Sequence, residues 1–404
     1  MRDVKTIHKD FPQLGEHGYH YLDSSATSLT PRVVLGVVEE YYVNYRANVH
    51  RGLFKEGIRA TERYEESRKK VAAFIGANDA REIIFTSGAT EASNMFVRMF
   101  EESGMVKAGT QNIVTTQMEH HSSLIPLQQL AKRTNTKLQI IPMNGFELDY
   151  VKAKELITSD TALVAIILTS NVIGTINDVR RIADIAHKHG AIVLVDATAA
   201  AGHIPLSVIA LGADALYFSG HKMFAPTGVG VLWVNMALLE TLPPSVFGGG
   251  MIAHFEGGEP IWASIPERFE AGTKDIGGVI GLAAAIDYLS TFGVLNIHKY
   301  VQKLTANAIL KLGAIPGVQV LAEHDVTKNI GIVSFVCTWA HPHDIAEILA
   351  RDNVAVRPGH HCAIPLHESL GVHATTRASF HVYNTIEDVE ALVRGVEKAR
   401  ALFL

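Results

Sequence analysis

The sequence predicts an α/β fold. A mostly parallel, layered sheet of seven strands comes first, and a smaller α+β domain follows. Three observations predict this. Short β-branched runs alternate with amphipathic helical stretches between residues 82 and 234. Several of those runs, such as A-I-V-L-V and L-V-A-I-I-L, are apolar at every position, as in a sheet buried on both faces. After about residue 280 the alternation gives way to a long helical stretch and a few isolated strands.

Taken in order, the candidate strands are 82–86, 112–117, 138–142, 163–169, 192–195, 215–218 and 230–234. Helical spacing between them predicts 91–102, 123–133, 178–189 and a shorter segment at 205–211. Further on, 294–312 reads as a helix, G-I-V-S-F-V-C (331–337) as a strand and 344–351 as a helix. V-A-V-R (354–357) reads as a short strand and 386–403 as the closing helix. The expected division is a large domain at 26–285 and a small domain at 286–404. Residues 1–25 are expected to pack against the small domain, because chain termini often lie close together.

A length of 404 residues exceeds one ordinary core, which fits this two-domain reading. Apolar residues make up 48% and charged residues 19%, the balance of a folded soluble chain. The net charge of −5 offers no basic field for nucleic acid and no polybasic membrane anchor. No apolar run has the length of a membrane span. Two cysteines exclude a disulfide framework and fit a reducing compartment. The N-terminus, M-R-D-V-K-T-I-H-K-D-F-P, lacks the apolar stretch of a signal peptide and carries acidic residues. A cytoplasmic enzyme or soluble binding protein is therefore expected.

The polar groups of interest sit at the carboxyl ends of the predicted strands: F-T-S-G-A-T-E (85–91), T-T-Q-M-E-H-H-S-S (115–123), L-T-S-N (168–171), V-L-V-D (193–196) and Y-F-S-G-H-K (217–222). Ligands of open α/β sheets bind there, so five such ends would converge on one cleft. Ser87-Gly88-Ala89-Thr90 opens a helix and suits a phosphate, although an ordinary helix cap has the same signature. Asp196 would be buried after four apolar residues and needs a partner there. A pyridinium or a metal would serve, and so would a helix N-cap role. Lys222 lies among apolar and small residues, whose burial lowers an amine pKa as a Schiff-base lysine requires. The other reading is a surface lysine in a glycine-rich loop. In the E-H-H triplet of Glu119, His120 and His121, the two imidazoles would point to opposite faces of an extended chain, which argues against joint metal ligation and for one ring lying on a cofactor, with the second as a structural or hydrogen-bonding group. In R-P-G-H-H-C-A-I-P-L, Cys362 follows His360 and His361; a metal set, a buried thiol and a nucleophile all remain open. Cys337, in I-V-S-F-V-C-T-W, reads as an inert thiol in an apolar strand.

Together, S-G-H-K with P-T-G-V-G, V-D-A-T, T-S-N-V-I-G-T, S-G-A-T-E and R-P-G-H-H-C-A-I-P resemble the pyridoxal phosphate enzymes of aminotransferase class V. More narrowly, the chain resembles the group II, SufS-like cysteine desulfurases, a branch that includes selenocysteine lyase activity. The likeness runs from Y-L-D-S-S-A-T (21–27) to T-R-A-S-F (376–380). The short cysteine loop is the group II form; group I enzymes carry a longer, Ser-rich one. The resemblance implies the aspartate aminotransferase-like fold type I, pyridoxal 5′-phosphate as cofactor and a homodimer. It also implies L-cysteine as substrate, with L-selenocysteine as an alternative, and a sulfur-acceptor protein of the SufE or SufU type serving Fe–S or other sulfur assembly.

It implies residue roles as well. Lys222 would bond the cofactor covalently, Asp196 would pair with its pyridine nitrogen and His120 would stack on its ring. Ala89, Thr90, Ser219 and His221 would hold the phosphate, with Thr273 reaching it from a partner subunit. Asn171 and Arg377 would orient the substrate, Arg377 gripping its carboxylate. His50, Arg51 and Arg357 would line the substrate entrance, and no metal is expected. Cys362 would attack the substrate sulfur, become a persulfide and release alanine. The competing readings are a selenocysteine lyase, another class V enzyme with no use for Cys362, and a non-catalytic metal-binding or sulfur-relay scaffold. The last lacks the usual ligand spacing. One position departs from the family. Where it usually has Gln bonded to the cofactor's phenolic oxygen, D-A-T-A-A-A places Ala199, with Thr198 or a water as the groups able to compensate.

Overall fold

The structure, a computed structural model, describes residues 4–15 and 18–404. Its centre is a seven-stranded sheet: β1 (Ile83–Thr86), β2 (Asn112–Thr116), β3 (Lys137–Ile141), β4 (Thr161–Ile167), β5 (Ile192–Asp196), β6 (Ala215–Ser219) and β7 (Gly230–Val234). The spatial order is β1-β7-β6-β5-β4-β2-β3, and only β7 runs antiparallel to its neighbours. All seven predicted strands are present, each within two residues of its expected bounds. The unbroken apolar runs have the predicted cause: every residue of β1, β4, β6 and β7 is buried. β3 carries Lys137 and Gln139 and lies at the sheet's edge, where its outer residues meet solvent.

Helices cover both faces. Ala89–Glu102 and His121–Arg133 pack together, with Phe96, Phe100, Leu127 and Leu130 fully buried. Asp178 starts the helix Val179–Lys188 by accepting a hydrogen bond from Arg181 N, and Ile182, Ala183 and Ala186 form its buried stripe. Each such Ile or Leu stabilises the fold by about 1.5–3 kcal/mol relative to exposure. Three longer helices escaped the sequence reading: Arg32–Asn44, Lys55–Ile75 and Ile276–Ser290. The last, I-G-G-V-I-G-L-A-A-A-I-D-Y-L-S, is covered on nearly every side, so no polar stripe marks its period.

From residue 318 onward a second, antiparallel sheet forms in the order Val318–Leu321, Ile332–Cys337, Thr375–Ser379, Arg357–Gly359. It is backed by Val294–Gly313, Pro342–Arg351 and Ile386–Phe403, the last started by a capping box between Thr385 and Asp388. The expected strand V-A-V-R proves to be two. Val354–Ala355 pairs in parallel with His20–Tyr21, and Arg357–Gly359 joins the second sheet at its edge, where Pro358 costs no ladder bond. The N-terminal segment touches more than this sheet. Phe11 packs edge-on against Phe224, Tyr288 and Tyr383, wedging the segment between the two sheets' layers. Among the described residues no single helix is long and apolar enough to cross a membrane.

Candidate active site

Five strand ends open onto one cavity of ≈290 Å³. β1 leads to Ala89 and Thr90, β2 to His120 and Ser122, β4 to Asn171, β5 to Asp196, Thr198 and Ala199, and β6 to Ser219, His221 and Lys222. The second sheet closes it with Arg357, His361, Cys362 and Arg377, and the N-terminal segment adds Ser25 and Ala26. Eleven expected site residues therefore meet in one place: Cys362, Lys222, His120, Asp196, Ala89, Thr90, Asn171, Ser219, His221, Arg377 and Arg357. His50, Arg51 and Thr273 do not line it. They meet instead around a separate cavity of ≈350 Å³ with Tyr64, Glu267, Glu270 and Lys274.

The floor is a buried charge cluster. Asp196 is 2% exposed and accepts a hydrogen bond from Thr198 N at 2.8 Å; burial nevertheless raises its pKa. Glu119, which precedes His120 and His121, feels the Asp196 charge and accepts from Thr116 Oγ1 at 2.8 Å and Ile167 N at 2.7 Å. Burial and the Asp196 charge push Glu119 up to about 8, which favours its protonated form beside that carboxylate. Burial and Arg377 bring Lys222 down to about 8, against the pull of Asp196 and Cys362. A lysine in that range can both hold and release a proton near neutral pH.

One end of the cavity is built for an anion. The helix Ala89–Glu102 begins there, and Ala89 N donates to Ser219 Oγ at 2.7 Å. Gly88 permits the turn at φ 155°, and Gly230 of β7 lies so close that a Cβ there would stand 2.4 Å from Gly88 Cα. His221 faces Thr27, with Nδ1 3.2 Å from the hydroxyl, and its pKa falls to about 4 through burial and Lys222. His120 accepts at Nδ1 from Ser122 N, which leaves its proton on Nε2; burial and Lys222 lower it to about 3, so the ring is neutral.

The other end is built for a carboxylate. Arg377 is 2% exposed and donates from Nη1 to Asn171 O at 2.8 Å and from Nη2 to Asp23 Oδ1 at 3.3 Å. Burial, opposed by Asp23, lowers it to about 10. Arg377 Nε and Asn171 Oδ1 are buried with no hydrogen-bond partner among the described residues, and both belong to residues lining the cavity. Such groups are costly unless something in the cavity meets them. A pyridine ring with a phosphate and an aldehyde fits this donor set: a buried anion for the ring nitrogen, a helix N-terminus with hydroxyls for the phosphate, and a buried amine between them.

Cys362 is exposed at the cavity's rim on a turn where His361 and Cys362 both adopt left-handed backbone, φ 50° and 57°. His361 Nε2 meets Thr375 Oγ1 at 2.9 Å, and His367 bonds the same hydroxyl at 3.2 Å. His360 stands against His121, ring centroids 6.1 Å apart. Among the described residues no three His, Cys, Asp or Glu side chains are grouped to hold a metal ion. Asp23 and Glu119 escaped the sequence reading as site residues, and His121 was read only as a structural or hydrogen-bonding group. Asp23 stood in a quoted motif and Glu119 and His121 in a quoted triplet, but a single carboxylate or imidazole carries no spacing signal.

The sequence and the fold are similar to those of known proteins. The family model for class V aminotransferases matches residues 20–392. A probable cysteine desulfurase of Halalkalibacterium halodurans is 44% identical over 95% of this chain and 93% of its own length, and one from Staphylococcus aureus is 45% identical over 99% and 98%. The solved structure of a cysteine desulfurase from Thermococcus onnurineus superposes with a TM-score of 0.93 at 42% identity, covering 98% of each chain. The cysteine desulfurase CsdA of Escherichia coli, solved as its S-sulfonic acid, gives 0.93 at 35% identity over 100% of each.

Proposed function

The chain belongs to the class V aminotransferases as a cysteine desulfurase close to the group II enzymes, and from that premise we propose how its residues divide the work. L-Cysteine is the substrate and pyridoxal 5′-phosphate the cofactor. Lys222 holds the cofactor, Asp196 its ring nitrogen, His120 its ring face, and Ala89, Thr90, Ser219 and His221 its phosphate. Bound there, pyridoxal phosphate supplies an electron sink for charge developing at the substrate Cα.

The protein supplies the rest. Arg377 binds the substrate carboxylate, with Asn171 beside it and Arg357 at the entrance. Lys222 Nζ takes the Cα proton and returns it, a task suited to an amine brought down to about 8. Cys362 Sγ, as thiolate, attacks the substrate sulfur. An S–S bond forms and the Cβ–S bond breaks; its electron pair stays with the substrate carbon, Cβ takes up a proton, and alanine leaves. The persulfide then passes to an acceptor protein of the SufE or SufU type for Fe–S or other sulfur assembly.

The observation that carries this reading is that Lys222, Asp196, Arg377 and Cys362 line one cavity. In this reading Cys362 comes from a small domain (286–404) and the other face of the cavity from a large one (26–285). Thr273, His50 and Arg51 line a different cavity of their own chain. That supports a homodimer in which each subunit lends these residues to the other's site. Mass spectrometry of the holoenzyme after addition of L-cysteine tests the central step. The Cys362 peptide gains the mass of one sulfur, and the Cys362→Ala protein forms no alanine from L-cysteine. An unmodified peptide under turnover would overturn the reading.

A further inference from the structure

We infer that His121 is a positioning residue that locks the Cys362 loop against the seven-stranded sheet through its imidazole. The inference rests on the reading of Cys362 as the sulfur-accepting nucleophile.

Two consecutive residues other than glycine in left-handed backbone, His361 and Cys362, do not hold that shape unaided. Within the loop, Ala363 N donates to His360 O at 2.8 Å, and the His361 ring is tied to Thr375. The remaining restraints come from the sheet's strand ends. Asn171 Nδ2 donates to His361 O at 2.7 Å, His121 N donates to Cys362 O at 2.8 Å, and Ile364 N donates to His121 Nε2 at 3.3 Å. His121 thus grips both sides of Cys362, the carbonyl with its backbone and the following turn with its ring. Because Nε2 accepts, the ring's proton sits on Nδ1.

Asn171 lines the cavity and is needed for substrate; His121 does not line it. His121 can therefore act on the nucleophile's position without touching substrate or cofactor. Its ring bond is the longest of the three restraints, and so the one that opens first. Cys362 must face the cavity to receive sulfur and face solvent to give it away. The ring bond sets the balance between those two positions. The main-chain bond from His121 N survives any side chain at this site, so a substitution removes the ring's share alone.

The test compares wild type, His121→Ala and His121→Gln as holoenzymes; glutamine keeps an acceptor in reach. Three readouts are taken: the rate at which iodoacetamide alkylates Cys362, followed on its peptide, the kcat and KM for alanine formation from L-cysteine, and the visible absorption of bound cofactor. In His121→Ala, alkylation rises roughly fivefold to tenfold and kcat falls by a similar factor, the worth of one hydrogen bond. KM and absorption stay as in wild type, and His121→Gln recovers most of both effects. An unchanged alkylation rate in His121→Ala overturns the inference. So does a glutamine variant that behaves like alanine, or a joint change in KM and absorption, which would place His121 in the cofactor site instead. Sulfur mass on wild-type Cys362 reports the nucleophile reading separately. Its absence would sink that reading, while the alkylation rates still report on the loop.

Discussion

Asp23 holds the guanidinium of Arg357 between both of its carboxylate oxygens. Arg357 Nε lies 3.1 and 3.0 Å from Oδ1 and Oδ2, and Nη2 lies 2.7 Å from Oδ2. Oδ1 also accepts from the buried Arg377 at 3.3 Å. One carboxylate of the N-terminal segment therefore fixes the half-exposed Arg357 and the buried Arg377 together. Arg357 is half exposed and its pair contributes little to stability. Arg377 is the costly partner, since a buried cation that loses its counter-charge costs several kcal/mol. Asp23→Ala is expected to lower holoenzyme stability by about 3 kcal/mol. Urea unfolding followed by tryptophan fluorescence measures it, and a midpoint equal to wild type would refute the role given to Asp23.

Buried neutral histidines make the fold acid-sensitive. His203 and His381 are buried with ring centroids 4.3 Å apart, and His361 is nearly as enclosed. Burial brings His203 down to about 4 and His361 to about 2, and holds His381 well below its ordinary value of 6.5. The folded pKa values lie below the unfolded one, so below pH 6.5 the unfolded chain binds more protons. Stability is full above that pH and is lost as pH falls from about 6.5 toward 4, by up to ~1.4 kcal/mol per unit for each group. The urea midpoint against pH should show uptake of more than one proton, and His381→Gln should reduce that uptake by one. A profile flat between pH 7 and 5 would show that these rings are not held neutral.

How far the sequence shows this molecule depends on whether a residue's role is periodic or relational. β1 to β7 were readable because each is a short apolar run flanked by turn residues. Asp196 and Lys222 were readable because a charge at the end of such a run is unusual. The helix Ile276–Ser290 was not, because burial on every side removes its polar stripe. The strand Thr375–Ser379, T-T-R-A-S, looks like a loop, yet all five residues are buried because Arg377 and the hydroxyls find partners from elsewhere in the chain. Asp23 and His121 act only through residues more than two hundred positions away. Nothing local marks such pairs. The family resemblance supplied Thr273, His50 and Arg51 as site residues, but their common surface away from the cavity is a three-dimensional fact.

The two cysteines should separate cleanly by reactivity. Cys337 ends the strand Ile332–Cys337 in apolar surroundings, and burial pushes its thiol up to about 12. Cys362 is exposed. The thiolate is the reacting form, so iodoacetamide at neutral pH should label Cys362 and leave Cys337 unmodified. Peptide mass spectrometry reads both sites at once. Comparable labelling of Cys337 would mean that its strand opens, or that it is less buried than the fold indicates.

Ala199 gives the cavity a feature that can be reversed. It is buried on the cavity wall three residues after Asp196, beside Thr198, whose main chain bonds the Asp196 carboxylate. A methyl group there can donate no hydrogen bond. In the family pattern a glutamine at this position donates to the cofactor's phenolic oxygen and favours its anionic form. Ala199→Gln should restore that donor in space the cavity already provides. A hydrogen bond to a charged oxygen is worth about 1.5–3 kcal/mol, so the pH midpoint of bound cofactor's visible band should fall by about one unit or more. Thr198→Val, which removes a hydroxyl from the cavity wall, should move the midpoint the other way if Thr198 has taken over part of the task. Spectrophotometric titration of the three holoenzymes decides it. An unmoved midpoint in Ala199→Gln would mean that the side chain turns away from the cofactor or that a water already fills the donor's place.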